Sequence, residues 1–231
     1  MDSMKIWVVN DDGIDSEGIK VLARHALKFG EVTVIAPVEQ CSGMSQRLTI
    51  GLFEKGKAKR KIKKIPFPVE GVKEAYAVEG TPTDCMIVAA EYIPEKPDIV
   101  FSGINHGENA GIDILYSGTI GAAMEALVQR LPAVAFSLKW EATGFELVEQ
   151  EIDGIMEAVI SKKLPRNQIW NVNFPAHKPD AFKGILWDRV PSQRRYGNCP
   201  QDPEDVENSD RVALDEGYIS IGKVTNMALV P

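Results

Sequence analysis

The chain has 231 residues, with 26 lysines and arginines against 33 aspartates and glutamates and a net charge of -7. That length suits one α/β domain with an extension, and the acidic balance excludes a general nucleic-acid binder, which presents a basic field. Cys41, Cys85 and Cys199 form no CxxC pair and no apolar run reaches membrane-spanning length, so reduced thiols in a cytoplasmic protein with no leader are expected rather than a disulfide framework, a zinc site or a membrane anchor.

The first element is the apolar run Ile6-Trp7-Val8-Val9, which ends abruptly in Asn10-Asp11-Asp12-Gly13. Three of its four residues are β-branched, which predicts a parallel strand covered on both faces. In open α/β sheets the loops at the carboxyl ends of strands hold the ligand, so chemistry is expected at Asp11 and Asp12. Two adjacent acids repel each other, and a cation between them relieves that repulsion. An Asx-turn, in which these side chains accept backbone N-H groups, is the plainer alternative. Ser16-Glu17 starts a helix with apolar positions at Ile19, Leu22, Ala23, Ala26 and Leu27 and a stop at Gly30. Residues 31–36 read as a second strand, closed by Pro37, which completes a βαβ unit. The polar loop that follows brings Ser42-Gly43 beside the acid pair, with Cys41 a thiol in the right place but lacking a base partner. Residues 47–53 read as a strand. The run from Lys55 to Lys64 carries seven cations and no acid; it reads as a solvated edge that resists aggregation, with electrostatic steering of an anionic substrate as the alternative.

Residues 75–78 form a short strand ahead of Thr81-Pro82-Thr83-Asp84, which supplies an N-cap, a proline at the first helical position and an acid at the third. Asp84 is therefore a capping acid, and its helix runs to about Tyr92. A further strand over 98–101 ends in Ser102-Gly103-Ile104-Asn105. Gly103, Gly107 and Gly111 then alternate with Asn105, Asn109 and Asp113 before Tyr116-Ser117-Gly118-Thr119 opens a helix over 120–129. Such a loop crowds backbone N-H groups round an anion, and the helix N-terminus adds donors and a favourable dipole. Asn109, Ser117, Gly118 and Thr119 are the candidate phosphate cradle. The Walker A pattern is excluded, because no Gly-Lys-Ser/Thr occurs. A strand over 132–137, an amphipathic helix over 145–162 and a core strand over 168–173 follow, with weaker strands at 184–190 and 219–221. The pattern predicts an α/β fold, Rossmann-like and doubly wound, with a mostly parallel sheet and a C-terminal β extension. Residues 1–190 are expected to form the catalytic domain and 191–231 a C-terminal arm used in oligomerisation.

Asn10-Asp11-Asp12-Gly13, Ser42-Gly43, Gly80-Thr81-Pro82-Thr83-Asp84-Cys85, and Ser102-Gly103-Ile104-Asn105 leading to Tyr116-Ser117-Gly118-Thr119 occur here in one order. In that order the chain closely resembles the SurE family of survival proteins, over about 4–175 and again over 210–221. The resemblance implies a metal-dependent nucleotide phosphatase in which Asp11, Asp12, Ser42 and Asn105 hold a divalent metal. It also implies dimers or tetramers with exchanged C-terminal arms. Two carboxylates, a hydroxyl and an amide oxygen are hard donors, suited to Mg²⁺ or Mn²⁺. Val38 and Cys41 depart from the polar residues usual in the Ser-Gly loop.

The expected activity is hydrolysis of nucleoside 5′-monophosphates, and of 3′-phosphates as well, by a metal-activated water oriented by one of the two acids, Asp11 or Asp12. The expected partners are that substrate and further copies of the chain as a homodimer or homotetramer, with no stable nucleic-acid complex and no membrane. Two alternatives pass through a phospho-aspartate. A haloacid dehalogenase-like phosphatase needs Asp-x-Asp, whereas these acids are adjacent. A receiver module needs a phosphoacceptor at a later strand end, where this chain offers Ser102 and Asn105.

Overall fold

In the computed structural model, which describes residues 3–53, 61–194 and 203–230, the first apolar run is β1 (Met4–Val9). Its alternating side chains serve two cores: Ile6 and Val8 pack on one face of the sheet, Trp7 and Val9 on the other, the pattern of a strand buried on both sides. The chain continues through α1 (Glu17–Ala26), β2 (Gly30–Pro37), β3 (Ile62–Lys64), β4 (Glu74–Val78), α2 (Pro82–Tyr92) and β5 (Ile99–His106). It then forms α3 (Gly118–Val128), β6 (Ala133–Leu138), α4 (Glu146–Ser161), β7 (Gln168–Phe174), β8 (Gly184–Arg189), α5 (Asp210–Asp215) and β9 (Tyr218–Thr225). Nine strands lie in one sheet in the order β3-β4-β2-β1-β5-β6-β7-β9-β8. From β4 to β7 all neighbours are parallel, while β3 and β9 run antiparallel to β4 and β7.

One core packs α1 and α4 against the sheet through Ile19, Leu22, Ile152 and Met156. The other packs α2 and α3 through Met86, Val88, Ile120 and Met124. The sheet is therefore covered on both faces, the doubly wound α/β arrangement expected from the pattern. Among the described residues no helix is long and apolar enough to cross a membrane.

One expectation changes. Residues 47–53 do not form a strand: Ile50–Phe53 is a 3-10 turn. The backbone before it is held by side chains of α2's capping box instead of by a neighbouring strand. Thr81 Oγ1 donates to the Arg47 carbonyl at 2.6 Å, and Asp84 Oδ1 accepts from the Thr49 N-H at 2.9 Å. Of the basic run, residues 55–60 lie outside the described residues. Its end forms the edge strand β3, with Lys61 paired to Glu79 at 3.1 Å and Lys64 to Glu74 at 2.6 Å. Beyond residue 190 the chain supplies β9, which lies between β7 and β8 in the sheet. Its inward residues Ile219 and Ile221 are fully buried in the first core, which gives the segment 191–231 its anchoring strand.

Candidate active site

Strand order reverses at β1: the chain winds outward to β2 and β4, then returns to β5 on the other side. Loops that leave β1 and β5 in opposite directions open a crevice at their carboxyl ends. Asp11 and Asp12 sit there. The turn is closed from beneath by Asn10, fully buried, whose Nδ2 donates to the Gly13 carbonyl at 2.9 Å and to Ser16 Oγ at 2.8 Å.

Asp11 is 2% exposed and enclosed by the start of α3. Ser117 caps that helix, its Oγ accepting from the Ile120 N-H at 3.1 Å. Gly118 follows with no side chain, and a Cβ there would stand 2.8 Å from Asp11 Cβ and 2.9 Å from its Oδ2. Thr119 Oγ1 donates to Asp11 Oδ1, and the Cys41 N-H donates to the Asp11 carbonyl at 2.6 Å. Burial pushes the Asp11 carboxyl up to about 6; the Thr119 hydroxyl opposes this and the neighbouring Asp12 adds to it. Asp12 is half-buried and its Oδ2 accepts the His106 N-H at 3.0 Å. Burial raises it too, against the pull of that N-H. One oxygen of each acid is thus committed to holding it in place, and among the described residues neither pairs with a lysine or arginine.

Asn105, on β5 beside His106, is half-buried, and its Nδ2 donates to the Gly107 carbonyl at 2.7 Å. That bond fixes which end of the amide remains an acceptor. Ser42 is exposed on the loop after β2, with its Oγ accepting from Gln40 Nε2 at 3.0 Å. It is tied to the acids through the Cys41–Asp11 backbone bond. Cys41 itself is buried, its Sγ donating to the Gly80 carbonyl at 3.7 Å, and burial raises the thiol. It stays protonated, so the chain has no activated thiol at this position.

The structure adds detail to the expected phosphate cradle. The hydroxyls of Ser117 and Thr119 are engaged by the cap and by Asp11, so this turn can offer a ligand backbone N-H groups and a helix dipole instead of side-chain oxygens. Asn109 is buried in a network of its own. Its N-H donates to Asn173 Oδ1 at 2.8 Å, its Nδ2 donates to Ser137 Oγ at 2.7 Å, and its carbonyl accepts from Asn171 Nδ2 at 2.8 Å. The glycine-rich loop is thereby fastened to β6 and β7. Asp210, at the start of α5, fastens its far end, accepting from the Gly111 N-H at 2.8 Å and the Ser192 N-H at 2.9 Å. Reading the sequence did not single out Asp210, Ser137 or the second role of Thr119. Asn171 and Asn173 carried a signal, since two amides two residues apart point to one face of a core strand.

The Asp11 shift gives a pH-dependent prediction for the metal-free protein. A carboxyl raised from 3.8 to about 6 on folding binds more protons in the native state, so stability falls as pH rises through that interval and stays low above it. Asp11→Asn removes the penalty, which is on the order of a few kcal/mol. In chelator, the variant is expected to melt above wild type at pH 7.5, with the two converging below about pH 4. A melting difference that stays constant across this range would contradict the assignment.

An acid pair at the switch point of a doubly wound sheet, faced by a helix N-terminus, defines a Rossmann-like α/β protein with an oxygen-lined crevice. Within that class the chain belongs to the SurE family, since the family described as "Survival protein SurE" matches residues 6–198. A 5′-nucleotidase SurE of Aeromonas hydrophila is 35% identical over 240 residues, covering 96% of this chain and 92% of that protein. The protein of the same name from Neisseria gonorrhoeae is 40% identical over 191 residues, covering 81% and 71%. The crystal structure of the SurE protein from Aquifex aeolicus superposes with a TM-score of 0.76 at 29% identity, over 96% of this chain and 93% of that one.

Proposed function

We propose that this protein is a 5′-nucleotidase that hydrolyses nucleoside 5′-monophosphates, and 3′-monophosphates as a second substrate, with the help of a divalent cation. The observation that carries the reading is the adjacent pair of buried Asp11 and half-buried Asp12, which has no cationic partner among the described residues. The activity named for the Aeromonas and Neisseria relatives supports it.

The donor set fits such a cation. Asp11, Asp12, Asn105 and Ser42 offer only hard oxygens, the donor type that suits Mg²⁺ or Mn²⁺. When bound, Mg²⁺ or Mn²⁺ supplies charge that polarises a phosphoryl oxygen and makes water more acidic. The chain's own residues do the rest. Thr119 and Gly118 box in Asp11, which suits it to hold the cation. The more open Asp12 is placed to orient a water and take its proton as the water oxygen attacks phosphorus. The P–O ester bond breaks, the nucleoside oxygen takes a proton from solvent and leaves as an alcohol, and Asp12 returns the proton it accepted to solvent. The α3 N-terminus offers the phosphate backbone N-H donation and a favourable dipole, while the network around Asn109 holds the neighbouring loop in place.

Phosphate release from a panel of 5′- and 3′-nucleoside monophosphates, with and without chelator, tests this. Release from the 5′ series that chelator abolishes and Mg²⁺ or Mn²⁺ restores is expected. Full activity in chelator would remove the cation from the reading, and no release from any nucleotide would end it.

A further inference from the structure

We propose that Trp140 and His106 form the surface on which the substrate's base stacks; this assignment rests on the nucleotidase reading above. Trp140 leaves 57% of its surface exposed, a large ring held in solvent on the segment after β6. Its main-chain N-H donates to Glu108 Oε2 at 3.1 Å, and its ring lies 4.7 Å from the His106 ring at a tilt of 40°. His106 is the residue whose N-H holds Asp12, so the aromatic pair is built directly onto the acid site.

The intervening glycine measures the gap. A Cβ at Gly107 would lie 3.6 Å from Asn105 Nδ2 and 3.7 Å from Trp140 Cε3, so amide and indole are no further apart than the sum of those distances. The indole therefore stands next to the Asn105 amide, and in a nucleotide only a ribose with its 5′-carbon separates phosphate from base. A phosphate held at Asp11, Asp12 and Asn105 therefore places a base within reach of the indole. Every nucleobase has a π face, and stacking on aromatic side chains tolerates all of them. The geometry points to a platform that recognises the presence of a base more than its identity. Leu115 and Tyr116 are exposed as well, at 67% and 59%, but they lie on the other flank, where the Ser45 N-H donates to the Tyr116 carbonyl at 2.8 Å.

The test compares adenosine 5′-monophosphate with ribose 5-phosphate, the same ester without a base. Wild type should prefer the nucleotide, chiefly through KM. In Trp140→Ala the ratio of the two kcat/KM values should fall about tenfold, the size of one lost stacking contact. Trp140→Phe should keep most of the ratio, and Tyr116→Ala should leave it near wild type. Because the ratio is taken within one variant, partial misfolding cancels. If wild type hydrolyses both esters equally well, the nucleotidase chemistry stands and the platform is overturned. An equal loss on both substrates in Trp140→Ala, or a selective loss in Tyr116→Ala instead, also overturns it. Hydrolysis of neither ester removes the nucleotidase reading and the platform with it.

Discussion

Asp12→Asn is expected to lower kcat/KM for nucleoside monophosphates by at least about a hundredfold while leaving the fold intact. Asparagine matches aspartate in size and can still accept the His106 N-H with its carbonyl oxygen, so the contact recorded at 3.0 Å survives. What goes is the charge. On the mechanism proposed above, the cation then loses one of its two carboxylate ligands and the attacking water its base. Divalent-cation affinity measured by calorimetry should fall together with the rate, and the melting temperature should not. Near-normal turnover in the variant, with its cation affinity unchanged, would show that Asp12 is a turn-forming acid and nothing more.

Gly118→Ala is expected to have the second large effect, by a route that involves no charge. The added methyl would stand 2.8 Å from Asp11 Cβ and 3.2 Å from the Cys41 carbonyl oxygen. Neither can retreat cheaply: Asp11 is buried and bonded to Thr119, and the Cys41 carbonyl is backbone. The start of α3 must move instead, and it carries the Thr119 hydroxyl with it. Overpacking of this kind costs about 1–3 kcal/mol, and a displacement approaching 1 Å at reacting groups costs roughly a hundredfold in rate. Gly154→Ala is the control. It makes the same chemical change in the exposed middle of α4, where a Cβ meets nothing within 4 Å, so it should stabilise by about 0.5–1 kcal/mol and leave turnover alone. Wild-type turnover and melting in Gly118→Ala would show that the helix tolerates a looser approach to the acid.

The features readable along the chain were those decided within a few residues of one another. Two-sided burial of β1 follows from its unbroken apolar run, and its abrupt end in two acids marked the turn. Thr81 and Asp84 are three residues apart, and both halves of their capping box form as the spacing implied. Ser117 caps α3 with its hydroxyl alone. Strand and helix alternation then sets the parallel sheet, because right-handed crossovers leave few other ways to cover both faces.

Contacts across long separations were a different matter. Residues 47–53 have the composition of a strand, yet that backbone is held by Thr81 and Asp84, and the free edge of β4 goes to β3. The hydroxyl of Thr119 holds an acid 108 residues away, and nothing near either residue announces the pairing. Asn109 read as a phosphate ligand from its glycine-rich surroundings, and only the placement of β6 and β7 beside the loop shows that Ser137, Asn171 and Asn173 hold it. Trp140 reads as an unremarkable residue after a strand until Gly107 is seen to set it beside Asn105. Most elements, their caps and the acid pair are legible along the chain, because short-range sterics and hydrogen bonding specify them locally. Which distant groups hold those acids, and what faces them, depends on how the strands are ordered in the sheet.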